Sequence, residues 1–95
     1  MNQIEDELFC RADEHIELAN KHGKTVEASK VSASFLYGAA RFNAFIAACN
    51  AVSGDDLQSG KSEIMSYYVE QYKKMLEDNL TDYIANFDSY MGQRD

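Results

Sequence analysis

Apolar positions in the first quarter of the chain recur every three to four residues. Ile4, Leu8, Ala12, Ile16 and Ala19 fall on one stripe, bordered by Phe9, as they would on an amphipathic helix. The pattern predicts a helix over about 3–22. Asn2, with Glu5 three residues on, has the spacing of a capping box at its start. Gly23 follows as a C′ glycine would, and Lys21, His22 and Lys24 place positive charge where the helix dipole favours it.

A second helix is predicted over about 28–52, with two apolar faces in place of one. Val31, Phe35, Phe42, Phe45, Cys49 and Val52 form a large-residue face, with Gly38 within it. Nearly opposite lie Ala33, Leu36, Ala40, Ala44, Ala47 and Ala51. Ser32, Asn43 and Asn50 line one seam between the faces; Ser34, Tyr37 and Arg41 line the other. A helix that is apolar on two sides is expected to pack on two sides, which makes it the central element.

The third helix is predicted over about 56–78, opened by a capping box from Asp55 to Gln58 and weakened by Gly60. Its inner stripe reads Ile64, Tyr68, Gln71, Tyr72 and Met75. Leu80, Ile84, Phe87 and Met91 form another stripe, turned well away from the first. One straight helix does not aim both at one core, so a break is predicted at Asp78–Thr81, with Asn79 as cap and Asp82 three positions on. A short fourth helix then covers about 80–90. An unbroken helix from Asp56 to Met91 would run ~50 Å, long for a compact domain of this size. The fold class that follows is all-α. It is a small bundle of three long helices plus a short C-terminal one, with helix two central, in a single domain over residues 1–95.

Composition supports this reading. There is no proline, 45% of residues are hydrophobic and 26% charged, which is ordinary for a folded chain and argues against disorder. With 95 residues only a thin core is available, which favours self-association. The net charge of −7 argues against nucleic acid and anionic membranes as partners. The one adjacent basic pair, Lys73-Lys74, is hemmed in by Glu70, Glu77 and Asp78. Cys10 and Cys49 lack metal-site spacing, and the first residues lack the basic start and apolar run of a signal peptide. Residues Val31–Val52 are alanine-rich and interrupted by Arg41, Asn43 and Asn50, so no membrane span is expected. A cytoplasmic location with free thiols is the expectation.

Four segments resemble a known family. They are Lys30-Val31-Ser32-Ala33; Tyr37-x-Ala39-Ala40-Arg41-Phe42-Asn43-Ala44-Phe45; Glu70-Gln71-Tyr72-x-Lys74-Met75; and Asn79-Leu80-x-Asp82-Tyr83-Ile84-Ala85-Asn86-Phe87-Asp88. The chain is similar, from Phe9 to Met91, to the short bacterial proteins grouped as domain of unknown function number 3144. The resemblance implies a small, helical, cytoplasmic bacterial protein. It brings no reaction, ligand, cofactor or catalytic residue.

Candidate chemistry centres on Arg41. A guanidinium at the edge of an apolar face needs a partner, and Asp82, Asp88, Asp13 and Glu17 are the carboxylates considered for an inter-helix ion pair. The functional alternative is an anion or small-ligand site formed by Arg41, Tyr37 and His15. His15 and His22 have alanines, Ala12 and Ala19, where a di-iron pattern would place glutamates, so no metal and no cofactor are expected. Gly60-Lys61-Ser62 lacks the upstream glycine of a phosphate loop, whose place is taken by Asp55. Tyr67, Tyr68, Tyr72 and Tyr83 suit a core rim, or else an aromatic groove for a peptide helix. The small face of helix two, Ala33 through Ala51, would let the same face of a second copy approach closely. The functional expectation is a non-enzymatic protein-interaction or structural module acting as a homodimer, with a further protein partner possible. Its alternative is a ligand binder or enzyme with a pocket near Arg41, Tyr37 and His15.

Overall fold

The computed structural model describes residues 3–92, and the side chains of residues 6–92. Four helices follow in order: α1 (Gln3–His22), α2 (Ala28–Cys49), α3 (Gly54–Ala85) and α4 (Phe87–Met91). The architecture is all-α, three long helices and a short C-terminal one, with no strand among the described residues. None of these helices is long and apolar enough to cross a membrane. The Asn2–Glu5 capping box lies outside the described residues. The chain divides into two compact units, Met1–Ile46 and Ala47–Asp95.

In the first unit α1 and most of α2 are joined by a tight turn. The carbonyl of Ala19 accepts the Gly23 N–H at 2.9 Å, that of Lys21 accepts Lys24 N–H at 3.3 Å, and that of His22 accepts from Thr25 and Val26 at 3.2 and 3.0 Å. Those bonds satisfy carbonyls that the end of a helix leaves open. They do so without a left-handed residue. Among the described residues no glycine has positive φ, so Gly23 is not the left-handed cap its position suggests. The Glu27 carbonyl then accepts from Lys30 and Val31 at 3.0 and 3.1 Å and starts α2. Val31 is the one buried residue among those described, at 8% exposure. Ala12, Ala19 and Asn43 are half-buried.

The second unit begins inside the last turn of α2. That helix ends at Cys49, short of the expected 52. Asn50 and Ala51 close it with bonds to Ala47 and Ala48, both 3.2 Å. The Val52 N–H turns instead to the Asp56 carboxylate at 2.9 Å, which takes the chain out of the helix. Val52, expected on the large apolar face, is 92% exposed.

Ser53 caps α3 from extended backbone (φ −163°, ψ 170°), and its Oγ accepts the Asp56 N–H at 3.0 Å. The cap is thus Ser53-x-x-Asp56, two residues before the expected Asp55–Gln58 pair. It wins because the serine hydroxyl and the aspartate carboxylate each satisfy a free N–H, one at each end of the turn.

From there α3 runs 32 residues, about 48 Å at 1.5 Å per residue. The break expected at Asp78–Thr81 is absent: α3 takes in the expected helix 56–78 and the first half of the expected helix 80–90, to Ala85. Asn79 does not cap; its amide donates back to the Met75 carbonyl at 2.7 Å. Continuity has a reason in the sequence. Met65, Val69, Tyr72, Leu76, Leu80 and Tyr83 keep helical spacing straight through the predicted break. The true interruption is at Asn86 (φ −120°, ψ 26°), five or more residues later. Its side-chain amide donates to the Asp82 carbonyl at 3.1 Å and to the Asp82 carboxylate at 2.9 Å. The other Asp82 oxygen accepts the Tyr90 hydroxyl at 3.0 Å, and the Tyr83 and Tyr90 rings meet at 4.9 Å. This clip sets α4 on the end of α3. Leu57, Gly60, Ile64 and Tyr68 mark the half-buried side of α3.

Candidate functional site

The first unit contains a groove of about 830 Å³, within the range of small-molecule sites. One wall is α1, which contributes Arg11, His15, Leu18 and His22 at intervals of four, three and four residues. Facing it, Val31, Phe35, Gly38 and Phe42 repeat the same intervals on α2. Such spacing puts each set on a single side of its helix. The groove owes part of its width to Gly38: a Cβ there would meet nothing within 4 Å.

Its floor is apolar and its α1 rim is basic. The His15 ring sits edge-on to Phe35, centroids 6.5 Å apart, and Phe42 leans on Phe45 at 6.2 Å. Ser34 is already engaged, donating to the Val31 carbonyl at 3.0 Å. Asn43 lines the trough on the α2 side and is half-buried. A trough of this kind accommodates an apolar body carrying a negative group. Among the described residues no group of three or more His, Cys, Asp or Glu could hold a metal ion.

Of the three residues proposed from sequence for a ligand site, His15 lines this groove. Arg41 and Tyr37 do not. They lie one turn apart on another side of α2, and Tyr37 is 67% exposed. Arg41 is exposed as well, so water screens its charge and burial does not demand a carboxylate beside it. Of the carboxylates considered for it, Asp82 is engaged by Asn86 and Tyr90, while Asp13, Glu17 and Asp88 are exposed. Of the large-residue face of α2, Val31, Phe35, Gly38 and Phe42 line the groove, whereas Phe45 and Val52 are 58% and 92% exposed. Arg11 went unnoticed, and His22 was weighed only as a metal ligand. Their signal was spacing: they share the helical side of His15.

On the small face of α2, Ala33, Leu36, Ala40 and Ala44 are exposed, and Ala47 and Ala51 are half-buried. Both cysteines are free and exposed.

Residues 8–84 match the family model described as protein of unknown function (DUF3144). The chain is also similar to the protein NB7890A from Shewanella sp, whose structure was determined by NMR. Identity is 39%, the match covers 92% of this chain and 93% of that one, and the TM-score is 0.75. No curated protein matches the chain.

Proposed function

Since the chain belongs to the DUF3144 family, whose function is unknown, we propose its role from its own surface: a non-enzymatic protein-interaction module that works as a homodimer. One observation carries the proposal. Eleven large apolar side chains of the first unit, among them Leu8, Phe9, Leu36, Phe42 and Phe45, are each more than a third exposed. At ~180 Å² per side chain they leave roughly 1,000 Å² of apolar surface open. Scattered apolar residues need no explanation, but contiguous patches of several hundred Å² mark contact surfaces. A stable interface takes about 800 Å² from each partner, and this total, summed over all sides of α1 and α2, is of that order. The small face of α2 is part of it, since Ala33, Ala40 and Ala44 permit close backbone approach. Sedimentation equilibrium from micromolar to millimolar protein tests the proposal. A reversible monomer–dimer equilibrium is expected; a monomer throughout overturns it.

A second reading rests on the groove. Arg11 and His15 stand on the rim of an apolar trough, an arrangement suited to an amphipathic carboxylate. Titration with a medium-chain fatty acid, followed by amide shifts along α1 and α2, tests it. Shifts confined to groove residues support this reading, and their absence removes it.

A further inference from the structure

α3 carries an apolar stripe that the groove does not use. Met65, Val69, Tyr72, Leu76, Leu80 and Tyr83 are separated by 4, 3, 4, 4 and 3 residues. Partners recur 11 residues apart: 65 with 76, 69 with 80, 72 with 83. Eleven residues in three turns is 3.67 per turn, close to the natural period of the α-helix, so the stripe runs nearly straight along the axis. All six side chains are open, from 44% at Leu76 to 60% at Val69. They lie beside the half-buried line of Leu57, Ile64 and Tyr68, not on it.

The stripe is close to symmetric about Lys74. Residues 65 and 83 lie nine positions to either side, 72 and 76 two positions, 69 and 80 five and six. A pattern that reads alike in both directions matches its own reverse. We propose that a second copy of this chain packs its α3 antiparallel across this stripe, about a two-fold axis through the stripe at the level of position 74. This rests on the homodimer reading and adds a contact surface on α3 to the one in the first unit. Met65 then faces Tyr83 of the partner subunit, and Tyr72 faces Leu76 of the partner subunit.

Area and charge agree. With Met75, which flanks the stripe and is 56% exposed, each copy offers roughly 650 Å² of apolar surface at ~180 Å² per side chain. Homodimer interfaces are about 65% apolar, so this corresponds to ~1,000 Å² per partner, enough for a stable pair. Lys73 and Glu77 border the stripe on one flank, one turn apart. An antiparallel pair brings like flanks together, so each Lys73 reaches Glu77 of the partner subunit, while Glu70, farther round the same flank, stays exposed to water. A parallel pair would set Lys73 against the opposite flank, where Tyr68 and Met75 offer no charge and Asp82 is already engaged. Opposed helix dipoles also favour the antiparallel choice.

The test compares wild type, Leu76→Glu and Thr81→Glu, the last on the side of α3 away from the stripe, by sedimentation equilibrium, with helicity monitored by circular dichroism. Leu76 is exposed, so its replacement is expected to leave helicity unchanged. Leu76→Glu is expected to weaken the dimer at least 100-fold, while Thr81→Glu changes it less than 3-fold. A wild type that stays monomeric sinks both this inference and the homodimer reading. A Leu76→Glu protein as dimeric as wild type sinks this inference alone. Direction is tested by disulfide formation in a Cys10→Ser, Cys49→Ser background. A mixture of Met65→Cys and Tyr83→Cys chains should cross-link as heterodimers; cross-linking of Met65→Cys alone would overturn the antiparallel arrangement.

Discussion

Replacing Ser53 by alanine takes away one acceptor and little else. The residue is exposed, and its backbone at φ −163° and ψ 170° is extended geometry that alanine adopts without strain. What disappears is the bond from the Asp56 N–H to Ser53 Oγ, 3.0 Å long, at the first turn of the 32-residue α3. Loss of a serine cap costs about 1 kcal/mol, within a span of roughly 0.5–2. Asp56 keeps its own bond to the Val52 N–H, and Asp55 and Asp56 continue to favour the dipole, so the loss stays near the middle of that range. In a chain this short, 1 kcal/mol lowers Tm by about 5 °C. Thermal melts followed at a helical wavelength, on wild type, Ser53→Ala, Ser53→Asp and Ser53→Ala/Asp56→Ala, provide the measurement. Ser53→Asp should restore Tm to within a degree or two, because aspartate caps as well as serine. The double variant should lose less or more than the sum of its parts, since the two side chains share one turn. A Ser53→Ala protein that melts with wild type, or a Ser53→Asp protein that melts with Ser53→Ala, would refute the capping argument.

Tyr90 should titrate above the ordinary tyrosine value. Its hydroxyl donates to Asp82, whose charge also opposes the phenolate, and both effects raise its pKa above the ordinary 10.0. The stabilisation is fully present below pH 10 and is lost as pH rises through the raised value. Phenolate absorbance should show one late tyrosine that returns to the ordinary range in Asp82→Asn; a late tyrosine that persists there contradicts the assignment. Gly60→Ala should stabilise α3 by roughly 0.5–1 kcal/mol in a denaturant melt. The added Cβ would lie 3.6 Å from Ile64 Cδ1, ordinary contact, so a destabilised variant would count against the geometry. Gly38→Leu should leave the fold intact and gain up to ~0.8 kcal/mol of helix propensity. It should also fill the groove and reduce binding of an anionic hydrophobic dye; unchanged dye binding would place the dye elsewhere.

Helix number and class were legible because apolar residues keep a period of three to four and proline is absent. The turn after His22 was legible for the same reason, although its bonding was not, since i→i+3 bonds and a left-handed glycine leave the same trace in a sequence. The end of α3 was misplaced by a choice of stripe. Ile64, Tyr68 and Met75 followed by Leu80, Ile84 and Phe87 jump in phase, whereas Met65 through Tyr83 do not. The local signals for the true ends were present: serine three before aspartate at 53–56, and asparagine four after aspartate at 82–86. The place of Arg41 is a different matter. A helical wheel orders residues around α2 but does not say which flank turns toward α1. That is decided by packing, and packing chose the side of Phe35 and Gly38.

With Val31 the lone buried side chain among those described, little couples one helix turn to a distant one. Backbone amides should therefore trade hydrogen for deuterium by fraying, slowest at helix centres and fastest beside Gly23, Ser53 and Asn86. Each segment would keep its own clock, and only a stretch covered by another molecule would run slower as the solution is made more concentrated.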